Sequence, residues 1–146
     1  MLVALIVMLG GLSLYLNRDW FARDNIQLMH RSRPARGAFG RRGTDNPLIN
    51  PLSFWFDRKV GLTSLKVIPV FDLETNKYPQ PIWYLLSDSN SLPIKDFTYG
   101  MRIPGMRPAF KGTAPDPLEP GIKYRLLVEA GKQKIAHDFV PELRTD

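Results

Sequence analysis

The side chains able to do acid–base or metal chemistry are few in this sequence, and their spacing keeps them apart. There are two histidines, His30 and His137, and no cysteine. Without thiols there is no disulfide framework, no thiolate metal site, no cysteine nucleophile and no lipid-bearing cysteine. Two imidazoles are too few for a histidine-dominated metal centre, so no metal ligands are assigned. His137 is followed by Asp138, a base beside a carboxylate that could orient it only if both shared a face. Neighbours on a strand point to opposite faces, so the two do not meet in one site. His30 stands beside the basic stretch and is expected to be a solvated imidazole. Asp88-Ser89-Asn90 begins like an oxygen-ligand calcium loop. The glycine and distal glutamate of such a loop are missing, so an Asx/Ser turn between strands is the expectation. Asp116 and Glu119 lie in a proline-rich turn, where carboxylates are solvated or accept backbone N–H groups. No G-x-S-x-G, P-loop or H-E-x-x-H is present. The expectation is no catalytic residue, no cofactor and no small-molecule substrate.

What remains is where the chain sits and how it is built. Its 146 residues carry 20 Lys+Arg and 14 Asp+Glu, a formal charge of +6. The excess is local. Residues 1–16 hold no charged side chain, residues 17–44 hold seven Arg and two Asp, and the remainder is close to neutral. The opening MLVALIVMLGGLSLYL, sixteen residues, would rise about 24 Å as a helix, against a hydrocarbon core of about 30 Å. A cleaved signal peptide needs a basic start and a small-residue cleavage site, and neither is seen. A buried core helix is disfavoured by Gly10-Gly11 and by the lack of any polar face. Residues 1–21 therefore read as a membrane anchor. Leu2, Val3, Leu5, Ile6, Val7, Leu9, Leu12, Leu14 and Leu16 supply the apolar surface, with Trp20 and Phe21 at the headgroup level. Lipid thinning or these aromatics would cover the shortfall in length.

The arginines all follow the apolar run, which by the positive-inside rule puts the body in the cytoplasm. A tethered β-sandwich is by analogy more often outside it, and a basic segment ahead of Met1 would reconcile the two. The side of the membrane is left open. Residues 22–50 read as a basic juxtamembrane segment and linker, because SRPARGAFGRRGTDNPLIN has neither a helical nor an alternating period. Arg31, Arg33, Arg36, Arg41 and Arg42 are assigned to anionic headgroups or an acidic partner. An Arg/Gly-rich nucleic-acid interface is the alternative, disfavoured because no aromatic platform accompanies it. Before the linker, Ile26–His30 alternates well enough to form a short strand joining the sheet.

Residues 51–142 read as β throughout, with 143–146 a tail. Expected strands are Ser53–Asp57, Leu62–Phe71, Ile82–Leu86, Lys95–Met101, Ile122–Ala130 and Lys134–Val140, the last two joined compactly at Gly131-Lys132-Gln133. The 13 prolines suit turns and edges. The fold class is all-β, a small antiparallel sandwich with an N-terminal transmembrane helix. Trp83 and Tyr124, with Leu126 and Val128 on the face of Tyr124, are the expected core. The segment LEPGIKYRLLVEAG places Pro120-Gly121 three residues before Tyr124 at a strand start, as a tyrosine corner requires.

That segment resembles the corresponding part of fibronectin type III and related immunoglobulin-like domains. The wider block from Trp83 to Phe139 is similar to uncharacterised bacterial proteins that attach a small sandwich to one membrane segment. The resemblance implies an immunoglobulin-like fold and a single-pass protein of the bacterial inner membrane, and it implies no activity. The pair of cysteines is missing, and not every strand is assigned to the immunoglobulin order.

One stretch stands out as an interface candidate: Tyr99, Met101, Arg102, Met106, Arg107 and Phe110, set among Gly and Pro. Closing one end of the core is the competing role for Met101, Met106 and Phe110. The expected function is that of a non-enzymatic, membrane-anchored binding or assembly module, an accessory subunit of a larger membrane complex whose partners are the bilayer and other subunits. An extracytoplasmic carbohydrate or peptide binder would need Trp20, Trp55 and Phe56 as an exposed aromatic platform.

Overall fold

Alternation is what the body of the chain encodes most plainly, and the backbone follows it. A computed structural model describes residues 2–16, 25–32 and 48–144. Its elements are α1 (Leu2–Leu16), β1 (Leu28–Ser32), β2 (Leu52–Val60), β3 (Ser64–Pro69), α2 (Val70–Thr75), β4 (Trp83–Leu86), β5 (Ile94–Thr98), β6 (Arg107–Pro108), β7 (Tyr124–Ala130) and β8 (Gln133–Phe139). The strands form two antiparallel sheets, ordered β1-β2-β5 and β6-β4-β3-β7-β8. Their inner faces share one apolar core. The structure is all-β apart from the two short helices.

On β2, Leu52, Phe54 and Phe56 point inward at every second position. The period then breaks: Asp57, Arg58 and Lys59 are exposed, and Val60 returns to the core opposite Ile94. Three consecutive charged residues cannot be buried unpaired, so the strand bulges there and resumes beyond. Phe54 is the hub. Its ring stacks on Phe97 at 5.2 Å and meets Phe139 edge-on at 5.1 Å, which joins β2, β5 and β8. Trp83 packs edge-on against Tyr99 at 5.0 Å, and Tyr124 stacks on Phe139 at 5.8 Å. Trp83, Tyr124, Leu126 and Val128 are all buried, as the sequence led us to expect.

The corner at Tyr124 is built as well. Its hydroxyl accepts the Glu119 N–H at 3.1 Å, five residues upstream, while the ring lies in the core. Gly121 takes φ +79 in the turn between them. Tyr124→Phe keeps the ring and leaves the Glu119 amide without this acceptor. We expect it to cost about 1 kcal/mol, read as a lowered urea midpoint with an unchanged m-value.

Three expectations of the sequence need correction. The strand anticipated over Leu62–Phe71 stops at Pro69, and Val70 and Phe71 enter α2 instead. Proline cannot extend the ladder with an N–H, and Asp72 in the first turn favours a helix start. The short strand expected at Ile26–His30 does join the sheet, but it runs Leu28–Ser32 and pairs along β2 from Leu28↔Phe56 to Ser32↔Leu52, so Arg31, assigned to the linker, is a strand residue. At the other end, the expected tail is tied in: Leu143 bridges Ile49, and the Arg144 N–H donates to the Leu48 carbonyl at 2.8 Å. The β7–β8 hairpin closes with two residues, Gly131 and Lys132, and Gly131 has φ +62, the first central position of a II′ turn.

Helix α1 contains fifteen residues, apolar on every side, with no charge in its first or last turn. Among the described residues, no helix is long and apolar enough to cross a membrane.

Candidate functional site

The two histidines, separated by 107 positions in the sequence, meet. His30 sits on β1 with Leu28 and Ser32 on its inward face, and His137 sits on β8 with Ile135 and Phe139 on its own. Strands β1 and β8 are the outer strands of the two sheets on the same side of the fold, and no backbone ladder joins them. The contact between them is made by side chains. His30 Nδ1 and His137 Nε2 are 2.6 Å apart, in rings whose centroids lie 4.8 Å apart at 62°. The aromatic wall behind them is Phe54 and Phe139, with ring centroids 6.3 and 6.1 Å from that of His30.

This geometry allows one proton between the two nitrogens. One ring donates an N–H and the other accepts it; if both nitrogens carried a proton, two donors and two positive charges would face each other at contact distance. Burial holds the His137 pKa below the ordinary histidine value of 6.5, and a charge on His30 lowers it further, with Asp138 opposing. Asp138 points away from the pair. It takes a bidentate contact from Arg125, Nε at 2.6 Å and a terminal nitrogen at 2.9 Å, with Lys123 at 3.6 Å. The Arg125 hydrogen bond keeps its carboxyl below the usual carboxylate range. Opposite orientation of His137 and Asp138 is what the strand period requires.

His30 corrects the sequence reading. It is half-buried and hydrogen-bonded rather than solvated. The available signal was the alternation of IQLMH, which put Leu28 and His30 on the same face once a strand was assumed. The pair also fails as a metal centre on its own donor set. Among the described residues, no group of three His, Cys, Asp or Glu converges anywhere. Two imidazole nitrogens at 2.6 Å sit closer than a shared metal ion would hold them, with each bond about 2.0 Å at a tetrahedral angle.

The remaining site candidates divide. Tyr99 and Met106 are buried and belong to the core, so the interface reading loses both. The Tyr99 hydroxyl donates to the Asp116 carbonyl at 2.6 Å, and burial pushes its phenol far above the ordinary range. Met101 is 49% exposed and Phe110 61% exposed, so neither closes the end of the core. Arg102 is exposed, and the Arg107 side chain pairs with Asp88 at 2.7 Å. Asn90 Oδ1 accepts the Thr63 hydroxyl at 3.1 Å, and Ser91 Oγ accepts the Leu62 N–H at 2.8 Å, which makes the Asp88–Ser91 stretch a structural turn. A cleft of about 170 Å³ opens beside β5, between Ile94, Asp96, Met101, Arg102 and Pro104. That is smaller than the ~300–1,000 Å³ typical of small-molecule sites. Phe56 is wholly buried, so it is withdrawn from the aromatic platform.

The chain matches no family model, no curated protein and no solved structure.

Of the residues the sequence assigned to an anchor, Val3, Ile6, Val7, Leu9, Leu12, Leu14 and Leu16 are all exposed on α1, and Leu2 and Leu5 lie in the same helix. Trp20, Phe21, Arg33, Arg36, Arg41 and Arg42 fall outside the described residues, and Arg31 is exposed on β1.

Proposed function

We propose that the protein is a non-enzymatic, single-pass membrane protein whose β-sandwich is a binding or assembly module, an accessory subunit of a larger membrane complex. The observation that carries this reading is α1. A helix that is apolar all round belongs inside a protein or inside lipid, and here Val3, Met8, Leu12, Tyr15 and Leu16 are each more than half exposed. Water is the wrong solvent for that surface. Fifteen residues rise about 22 Å, so the bilayer thins around the helix or the residues after Leu16, including Trp20 and Phe21, extend the anchor. The arginines that follow in sequence then lie near headgroups, each contributing roughly 1 kcal/mol at an anionic surface. The bacterial inner membrane is the setting this reading assigns.

For the body, the reading is an immunoglobulin-like domain of the fibronectin type III kind. Taking β1, β2 and β5 as strands A, B and E, and β4, β3, β7 and β8 as C′, C, F and G, supports it through the sheet order. Tyr124 at the start of the F equivalent, bonded to the backbone upstream, supports it again. Trp83 departs from the antibody pattern, because it stands on the C′ equivalent instead of C.

The test is fractionation of the full chain from cells, with carbonate washing and ultracentrifugation. We expect the protein in the pellet, its release on deletion of residues 2–16, and a defined set of co-purifying membrane subunits in mild detergent. Recovery of the full chain in the aqueous fraction would overturn the anchor, and purification as a lone monomer would overturn the accessory role.

A further inference from the structure

We propose that the His30–His137 contact is a proton-gated latch: with one proton shared it holds β1 against β8, and with both rings charged it releases β1. No backbone ladder joins the two strands, so side chains hold the seam, His30 against His137 with Phe139 beside it. Of the described carboxylates, Asp138 favours a charge on His137, and it is already paired with Arg125. The ring neighbours of the pair are Phe54 from β2 and Phe139 from β8, and the ladders set Phe54 opposite His30 and Leu126 opposite His137. The Tyr124 hydroxyl is committed to Glu119. The charged residues flanking the histidines in sequence, Arg31 and Asp138, take the opposite face of their strands, and Asp138 is engaged by Arg125 and Lys123.

Among the described residues, Ser32 Oγ, on the histidine side of β1, is buried with no hydrogen-bond partner. Strand β1 precedes β2 and follows the apolar helix in sequence, so the latch couples acidity to the element between anchor and module. The inference stands whether or not α1 resides in lipid.

Hydrogen–deuterium exchange of the full chain in dodecylmaltoside micelles, corrected for intrinsic chemical exchange, tests it. Between pH 7.5 and 5.0, protection of β1 should fall about tenfold more than that of β3 and β7. In His137→Gln, whose amide stays neutral, that extra loss should vanish. Equal pH responses of β1 and the central strands, or the same loss in His137→Gln, would overturn the latch. The wild-type histidine ring titration by NMR decides the matter even if the variant fails to fold. Two protonation steps separated by more than about one pH unit mark the coupled pair, and two independent titrations at the ordinary value would overturn it.

Discussion

Phe54→Ala is expected to be the most damaging single truncation among the described core residues, at about 3–5 kcal/mol. The reason lies in what the ring holds together. Phe54 has no exposed surface and contacts Phe97 on its own sheet and Phe139 on the other, with His30 beside it. Alanine leaves a cavity at the junction of both sheets, where the backbone cannot close in without breaking the β1–β2 or β2–β5 pairing. Domains of this size have only about 5–15 kcal/mol to lose. The variant should therefore unfold at a much lower urea concentration, and its near-ultraviolet circular dichroism should weaken before the far-ultraviolet signal. A midpoint shift as small as that of Tyr124→Phe would contradict the hub role. Trp83→Ala belongs in the same class, with the loss centred on Tyr99 and Phe97.

Gly105→Ala should be the second large effect, and Gly112→Ala is its internal control. Both glycines have positive φ, +81 and +79. The left-handed backbone alone costs an L-residue roughly 1–2 kcal/mol at either place. The surroundings differ. A Cβ at Gly112 meets nothing within 4 Å, while one at Gly105 lies 3.1 Å from the Leu92 nitrogen and 3.1 Å from Ser91 Cα. Those are backbone atoms with little freedom to yield. Displacing Ser91 also disturbs its hydroxyl, which accepts the buried Leu62 N–H. We expect Gly105→Ala to lose about 2–4 kcal/mol and Gly112→Ala only the backbone part, measured side by side by urea denaturation. Equal losses would mean that the Ser91 turn moves freely.

The contrast between those glycines was invisible in the sequence, where both are simply glycines in loops. Other features were legible because they are local. The Pro-Gly-x-x-Tyr spacing announced the corner, and alternation placed Trp83, Leu126 and Val128 inside. The strand carrying Phe54 was legible, but which of its faces is buried and the role of Phe54 as hub were not, since both depend on register between strands far apart in the chain. The same limit hid the histidine pair. His30 reads as one polar residue before a basic linker, and only the position of β1 at the sheet edge brings it to β8. Tyr99 was read as an interface residue because it stands with two Met, two Arg and Phe110 among Gly and Pro. Its hydroxyl finds the Asp116 carbonyl 17 residues on, a contact that no local pattern encodes. α2 was missed because six residues are too few to display a helical period.

The brevity of β6 has a consequence for how copies of this chain behave together. Only Arg107 and Pro108 pair with β4, and proline has no N–H to offer a further strand. Arg107 itself carries a cation, paired with Asp88, at the margin of the sheet. An incoming strand would find a short, charged and donor-poor margin, poorly suited to templating ribbon-like polymerisation on that flank. High local concentrations of the protein should accordingly leave this flank of the molecule resistant to fibril growth.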